Sequence, residues 1–143
     1  MRKLATIVFM LCMAFNSLTA QNNGPSLDNY FSPVTAEAAS PDAEGFIRRW
    51  LLLEPIDKPN RTNIVFTDSY LREAFHTEYF KGQFTTLPKD GQKVKVGKQK
   101  LAWHALDSKL FNVKLFRFAS GLDKQIYGVL FWAVTVIECE EDI

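Results

Sequence analysis

Cysteine and histidine are scarce in this chain, with two of each among 143 residues. Cys12 lies in an apolar N-terminal stretch that we expect to be removed, so Cys139 alone would remain and no internal disulfide could form. The histidines, His76 and His104, have no second histidine or cysteine three or four residues away, and the sequence contains no zinc motif. We therefore expect a protein without a metal or other cofactor.

The chain also lacks an excess of charge and the motifs of common hydrolases. There is no Gly-x-Ser-x-Gly elbow, which would mark a serine hydrolase. The 17 Lys and Arg nearly balance the 16 Asp and Glu, so neither nucleic acid nor an anionic membrane is indicated as a partner. Apolar residues at 47% and charged residues at 23% are typical of a globular domain and exclude a disordered or coiled-coil chain.

The first twenty residues predict an export signal. Arg2 and Lys3 give a basic start, Leu4–Phe15 is an apolar stretch, and Ala20 is a small residue at the exit. This stretch is too short to cross a bilayer core, which needs about twenty apolar residues, so we expect no membrane span. Cleavage would leave Gln21 at the N-terminus of a protein exported to the periplasm or the extracellular space.

The remaining sequence predicts one β-rich domain over residues 46–143, preceded by a linker or surface arm over residues 21–45. One short helix is expected from Ser69 to Tyr79, because apolar residues recur there at helical spacing after a capping residue. Alternating or continuous apolar runs bounded by turn residues predict strands. These runs are Phe46–Leu53, Phe84–Leu87, Lys93–Val96, Lys98–Leu106, Asn112–Ala119 and Ile126–Ile137. The pattern as a whole predicts an all-β fold, an antiparallel β-sandwich.

The most apolar of these runs, Ile126–Ile137, stops six residues before the end of the chain. So apolar a strand belongs in the interior of a sheet, with partners on both sides. We therefore expect a sandwich that is either truncated or unusually compact. One hypothesis is a fragment without independent function, which would melt without cooperativity.

Charged residues cluster in two places. Five lysines surround or follow a turn predicted at Pro88–Gly91 and alternate with valines: Lys89, Lys93, Lys95, Lys98 and Lys100. This spacing favours a solvent-facing edge hairpin over a phosphate site. Four acidic residues lie near the C-terminus, where a solvated tail is a simpler interpretation than a weak calcium site: Glu138, Glu140, Glu141 and Asp142.

Two serines are candidate nucleophiles. Ser108 lies close to His104 and Asp107, and together these are the side-chain types of a catalytic triad, although neighbours in a strand point to opposite faces. Ser69 follows an apolar stretch and an aspartate, as the nucleophile does in the GDSL-type esterases that this stretch resembles. Thr67 stands where that motif has glycine, and no Asp-x-x-His follows.

A sugar site needs an exposed flat aromatic ring and a few hydrogen-bonding side chains, not a special motif. Trp103, with His104 beside it and Asp107 near the end of the predicted strand, could supply that set. The other two tryptophans, Trp50 and Trp132, lie in apolar runs and are expected in the core. Core packing remains the alternative for Trp103 as well.

Three segments carry a resemblance to a known class of modules: Arg49–Pro55, Trp103–Lys109 and Tyr127–Val136. They resemble the galactose-binding-like jelly-roll modules of secreted polysaccharide-degrading proteins. The stretch from Phe31 to Ile137 is similar to small exported bacterial proteins labelled acetylxylan esterase. The resemblance implies a jelly-roll sandwich, a role in xylan breakdown, and a glycan or a neighbouring catalytic module as partner.

Because no nucleophile system is recognisable, we expect a secreted, non-catalytic accessory or carbohydrate-binding module. The alternative is an acetylxylan esterase that uses Ser69 or Ser108 with His104.

Overall fold

The computed structural model describes residues 26–35, 38–58 and 68–138. They form seven strands in antiparallel sheets, two short α-helices and one 3-10 turn at Leu27–Asn29. In chain order the elements are β1 (Phe31–Pro33), β2 (Arg49–Leu53), β3 (Ile56–Asp57), α1 (Asp68–His76), β4 (Lys93–Val96), β5 (Gln99–Ser108), α2 (Leu115–Gly121), β6 (Val129–Leu130) and β7 (Ala133–Val134). The expected β-rich fold with antiparallel pairing is confirmed.

Strand β5 is the centre of the main sheet. Along one edge it pairs with β2, from Arg49↔Asp107 to Leu53↔Trp103. Its other edge is shared by two shorter strands, since β4 pairs with its first half and β1 with its second half. Strand β7 pairs with the outer edge of β2, and β3 and β6 form a separate two-stranded ribbon. The predicted strands Lys93–Val96 and Lys98–Leu106 are thus present as β4 and β5.

The main sheet buries apolar side chains on both faces, because successive residues of a strand point to opposite sides. Leu101 and Trp103 of β5 belong to one core, which also contains Leu53, Ile56 and Val96. The second core lies on the opposite face and contains Phe31, Leu52, Leu106 and Phe118. Tyr79, Phe80 and Trp132 pack on the first core, whereas α2 and the 3-10 turn cover the second.

The segment expected to be an arm takes part in this packing. Phe31 is buried, and its ring meets that of Phe118 edge to face at 6.2 Å between centroids. Leu27 lies so close to α2 that a Cβ on Gly121 would come within 2.9 Å of the Leu27 Cβ. Glycine at 121 therefore permits the close approach of the 3-10 turn and helix α2.

The predicted strand Asn112–Ala119 is wrong, since most of it lies in helix α2. The amide of Phe118 donates to the carbonyl of Lys114 at 3.0 Å, and both Phe118 and Ala119 are fully buried. Phe116 is exposed, so burial does not follow the two-residue period of a strand. The apolar set Leu115, Phe118, Ala119 and Leu122 fits one helical face instead.

The continuous strand predicted over Ile126–Ile137 is also wrong. Gly128 has a φ of +65° just before β6, and Phe131 and Trp132 separate β6 from β7. The run therefore passes from the small ribbon to the edge of the main sheet instead of crossing its interior. Val136 and Ile137 are exposed.

Two smaller differences concern strand limits. Residues 84–87, predicted as a strand, belong to an irregular stretch in which the amides of Thr85 and Thr86 donate to the carbonyl of Gly82. The predicted strand Phe46–Leu53 begins only at Arg49. The expected helix Ser69–Tyr79 is confirmed as α1, which ends at His76.

Candidate functional site

Trp103, the aromatic ring of the predicted sugar site, lies in the first core and is 2% exposed. Its ring meets that of Phe80 edge to face, with 6.1 Å between centroids. A sugar stacks only on a ring whose face is open to solvent, so Trp103 offers no platform as it stands. The alternative of core packing describes its position.

His104 points to the opposite face of β5. Its ring packs edge to face on Phe118, 5.5 Å between centroids, and its Nε2 lies 3.5 Å from Glu54 Oε1 without hydrogen-bond geometry. The other carboxylate oxygen of Glu54 accepts from the amide of Ala102 at 3.2 Å and lies 3.3 Å from Lys124 Nζ. We call Glu54, His104 and Lys124 the β5 charge cluster. The buried carboxylate of Glu54 thus has a hydrogen bond and an ion pair at Oε2 and a close imidazole neighbour at Oε1.

Asp107 lies on the same face of β5 as Trp103 and is held by Arg49 on the neighbouring strand. Arg49 Nε and Nη2 donate to the two carboxylate oxygens, each at 2.9 Å. This paired hydrogen bond raises the pKa of the Arg49 guanidinium above its ordinary value. The structure therefore does not bring Trp103, His104 and Asp107 together on one surface.

The candidate nucleophiles are not placed as a triad requires. Ser108 is buried, and its Oγ lies within hydrogen-bonding distance of the carbonyls of Leu110 (2.9 Å) and Asn112 (3.1 Å). His104 precedes it by four residues on the same strand, which separates the two by about 13 Å. Ser69 lies in the first turn of α1, and the contacts of His104 described above are with Glu54 and Phe118.

The residues of the two charged clusters are exposed wherever they lie within the described part of the chain. The lysines of the β4–β5 hairpin are all exposed, as the alternation predicted: Lys89, Lys93, Lys95, Lys98 and Lys100. Of the acidic C-terminal residues only Glu138 lies within the described residues, and it is exposed.

The described ranges contain no group of three His, Cys, Asp or Glu side chains arranged to hold a metal ion. In the same ranges no helix is both long and apolar enough to span a membrane.

A concave surface with ligand-binding chemistry lies elsewhere among the described residues, between helix α1 and the β3–β6 ribbon. It is a cavity of about 330 Å³, within the size range of small-ligand sites. We call it the aromatic cleft. Its lining is Ile56, Lys58, Tyr70, Ala74, Phe75, Tyr79, Gly128, Val129, Leu130, Phe131 and Trp132.

Backbone pairing fixes the wall of the cleft that carries Lys58. Lys58 follows β3 directly, and its amide donates to the carbonyl of Gly128 at 2.9 Å, which extends the ribbon by one residue. The positive φ of Gly128 turns the chain into β6 at this point, and a Cβ there would lie 3.7 Å from the carbonyl oxygen of Lys58. The lysine side chain thus starts from a defined backbone position.

The side chains of the cleft combine flat rings with polar atoms. Lys58 Nζ lies 4.9 Å from the ring centroid of Tyr70 and 5.8 Å from that of Tyr79, and it donates to the Tyr79 hydroxyl at 3.2 Å. Phe75 is 67% exposed. Trp132 contributes to the wall beside Leu130, with its Nε1 buried and without a hydrogen-bond partner. Rings of this kind stack on apolar faces, and the lysine and phenol bind oxygen atoms.

Sequence reasoning missed this cleft. It included Phe75 and Tyr79 in the predicted helix Ser69–Tyr79 without giving them a role in binding, and it did not consider Lys58. The available signal was the density of aromatic residues from Tyr70 to Phe80 beside a lysine-containing loop. The opposite wall could not be found in this way, because it depends on the break at Phe131 and Trp132.

The described residues form a small antiparallel β-rich fold with an open aromatic cleft. A scan against protein-family models, a search of curated proteins and a search of solved structures each found no match to this chain.

Proposed function

We propose that this protein is an exported, non-catalytic accessory module that binds glycan during the breakdown of plant cell-wall polysaccharides such as xylan. The scaffold of the proposal is a galactose-binding-like jelly roll, in keeping with the resemblance of its sequence. The observation that carries it is the aromatic cleft, in which exposed and half-buried rings lie beside a lysine and a tyrosine hydroxyl.

A pyranose ring has C–H bonds on its faces and hydroxyls around its rim. Phe75 is placed to stack against such a face because most of its ring is accessible. Lys58 and the Tyr79 hydroxyl are placed to bind the rim oxygens. This arrangement moves the proposed site from Trp103, His104 and Asp107 to the cleft between α1 and the β3–β6 ribbon.

Affinity electrophoresis of the purified protein, expressed from the full-length sequence, tests this proposal in gels that contain a soluble xylan. We expect the xylan to slow migration and Phe75→Ala to weaken binding about 10-fold, because a stacking ring contributes about 1.5 kcal/mol. Phe111→Ala is the matched control, since Phe111 is 60% exposed and does not line the cleft. Unchanged migration in xylan, or equal losses in both variants, would refute the proposal.

The non-catalytic part of the proposal is tested separately with an acetylated chromogenic ester. We expect no hydrolysis above that of a buffer control. Ser108 is buried, and four residues of extended strand separate it from His104 by about 13 Å. The acetylxylan esterase alternative requires activity that disappears in Ser69→Ala, Ser108→Ala or His104→Ala. Such a loss would replace the accessory role with the enzymatic one.

Export is a further part of the proposal and is tested by the mass of the protein after expression in a bacterial host. We expect a mature form that starts at Gln21 and is recovered from the periplasm or the medium. A protein retained in the cytoplasm with residues 1–20 intact would contradict it.

A further inference from the structure

We infer that the aromatic cleft prefers a glycan that carries a uronic acid. Lys58 is the residue that binds the carboxylate of this uronic acid. The inference rests on the proposed function and names the substrate class of the same site. Its basis is the charge of Lys58 and the surroundings of that charge.

Lys58 is the one charged residue that lines the cleft within the described part of the chain. Its neighbours are the rings of Tyr70 and Tyr79 and the hydroxyl of Tyr79. No carboxylate of the described residues forms an ion pair with it. The adjoining residues 59–67 contain neither aspartate nor glutamate, so that part of the chain has no carboxylate to offer.

The environment of Lys58 contrasts with that of two other half-buried cations, Arg48 and Arg49, and resembles that of Arg117, which lies over the rings of Tyr30 and Phe116. Arg48 pairs with Asp42 and Arg49 with Asp107, each through a side-chain ion pair. Burying an ammonium group costs free energy unless a counter-ion compensates for the lost water. Contact with aromatic ring faces offsets only part of this cost. A ligand carboxylate would supply the missing partner and a charge-assisted hydrogen bond.

The rings restrict which anion fits. Free phosphate or sulfate would meet the ammonium but would leave the apolar wall of Phe75, Phe131 and Trp132 without a partner. A uronic acid joins a carboxylate to a sugar ring, so one residue of the glycan can contact both the lysine and an aromatic face. The chemistry of the cleft therefore favours an acidic sugar over a simple anion or a neutral sugar.

The test compares two ligands that differ only in charge: a xylo-oligosaccharide with one glucuronic acid branch, and the same compound with its carboxyl group reduced to an alcohol. Titration calorimetry of the protein expressed from the full-length sequence should show about 10-fold tighter binding of the acidic ligand at low salt. Reduction of the ligand's carboxyl group removes the charge-assisted hydrogen bond to Lys58. Added salt should diminish the difference.

Lys58→Gln should remove the preference for the acidic ligand, whereas Lys58→Arg should keep it. Lys95→Gln, an exposed lysine on β4, is the control and should behave as the wild type. Equal affinity of the wild-type protein for the two ligands would overturn the inference while leaving the proposed glycan binding intact. Binding of neither ligand would overturn both. The comparison of ligands needs no variant, so it remains decisive if a substitution prevents folding.

Discussion

The two surfaces considered for function differ in how their charged groups are paired. Around strand β5, Glu54 is in contact with an amide, an imidazole and an ammonium, and Asp107 is bound by both donors of Arg49. In the aromatic cleft, Lys58 has aromatic and hydroxyl neighbours but no described counter-charge. Carboxylates that are already paired hold a fold together, whereas a lysine with no counter-charge among the described residues, near an exposed ring, is suited to a ligand.

The largest expected effect separates a core aromatic residue from a cleft aromatic residue. Trp103→Ala should lower the free energy of unfolding by about 3–5 kcal/mol, because it removes a large buried ring and leaves a cavity. Phe75→Ala should change it by less than about 1 kcal/mol, since most of that ring is exposed. Urea denaturation followed by circular dichroism measures both. Similar losses in the two variants would remove the distinction between the two surfaces, and a non-cooperative wild-type transition would favour the fragment hypothesis.

A smaller effect is expected where α2 covers the second core. Gly121→Ala places a methyl group within 2.9–3.0 Å of Leu27, so the helix and the 3-10 turn must separate. We expect a loss of about 1–3 kcal/mol from this overpacking, with little change in glycan affinity. Ser120→Ala, one residue away in the same helix, is the control for helix content. A Gly121→Ala protein as stable as the wild type would show that the contact is not tight.

The smallest effect concerns pH and the turn before β2. Asp42 accepts hydrogen bonds from the amides of Phe46 (2.8 Å) and Glu44 (3.0 Å) and forms an ion pair with Arg48, and these contacts lower its pKa. A carboxyl group with a lowered pKa in the folded state stabilises the protein above its unfolded pKa, near 4, and loses this contribution as pH falls further.

The difference in melting temperature between the wild type and Asp42→Asn should therefore be constant from about pH 7 to 5 and shrink below about pH 4. Thermal melts at a series of pH values measure this difference. A difference that grows on acidification would have the wrong sign for the contacts described, while glycan binding at pH 5–7 should be the same in both proteins.

Local signals were sufficient to predict much of the main sheet. The turn residues at Pro88–Gly91 and the alternation of Lys93–Val96 specify an edge hairpin without reference to the rest of the chain. Helix α1 was predicted because a capping residue precedes apolar residues at helical spacing. These features depend on neighbours in sequence, so the sequence alone predicts them.

The predictions were wrong where an apolar segment fits the periodicity of both a helix and a strand, or where it passes from one sheet to another. Leu115, Phe118 and Ala119 fit a helix, but the neighbouring residues also alternate as in a strand, and only their packing on Phe31 and Leu52 distinguishes the two. The run Ile126–Ile137 contains no charged residue to mark the point where it leaves one sheet for another. The aromatic cleft depends on that same point, so it was missed together with it.

The central claim is that glycan binds in the aromatic cleft and not on strand β5. A titration of isotope-labelled protein with the glucuronic acid-bearing xylo-oligosaccharide, followed by amide NMR spectra, tests it most directly. We expect the largest shifts at Lys58, Phe75 and Gly128, with Trp103 to Asp107 nearly unchanged. Shifts concentrated on Trp103, His104 and Asp107, or no shifts at saturating ligand, would contradict it.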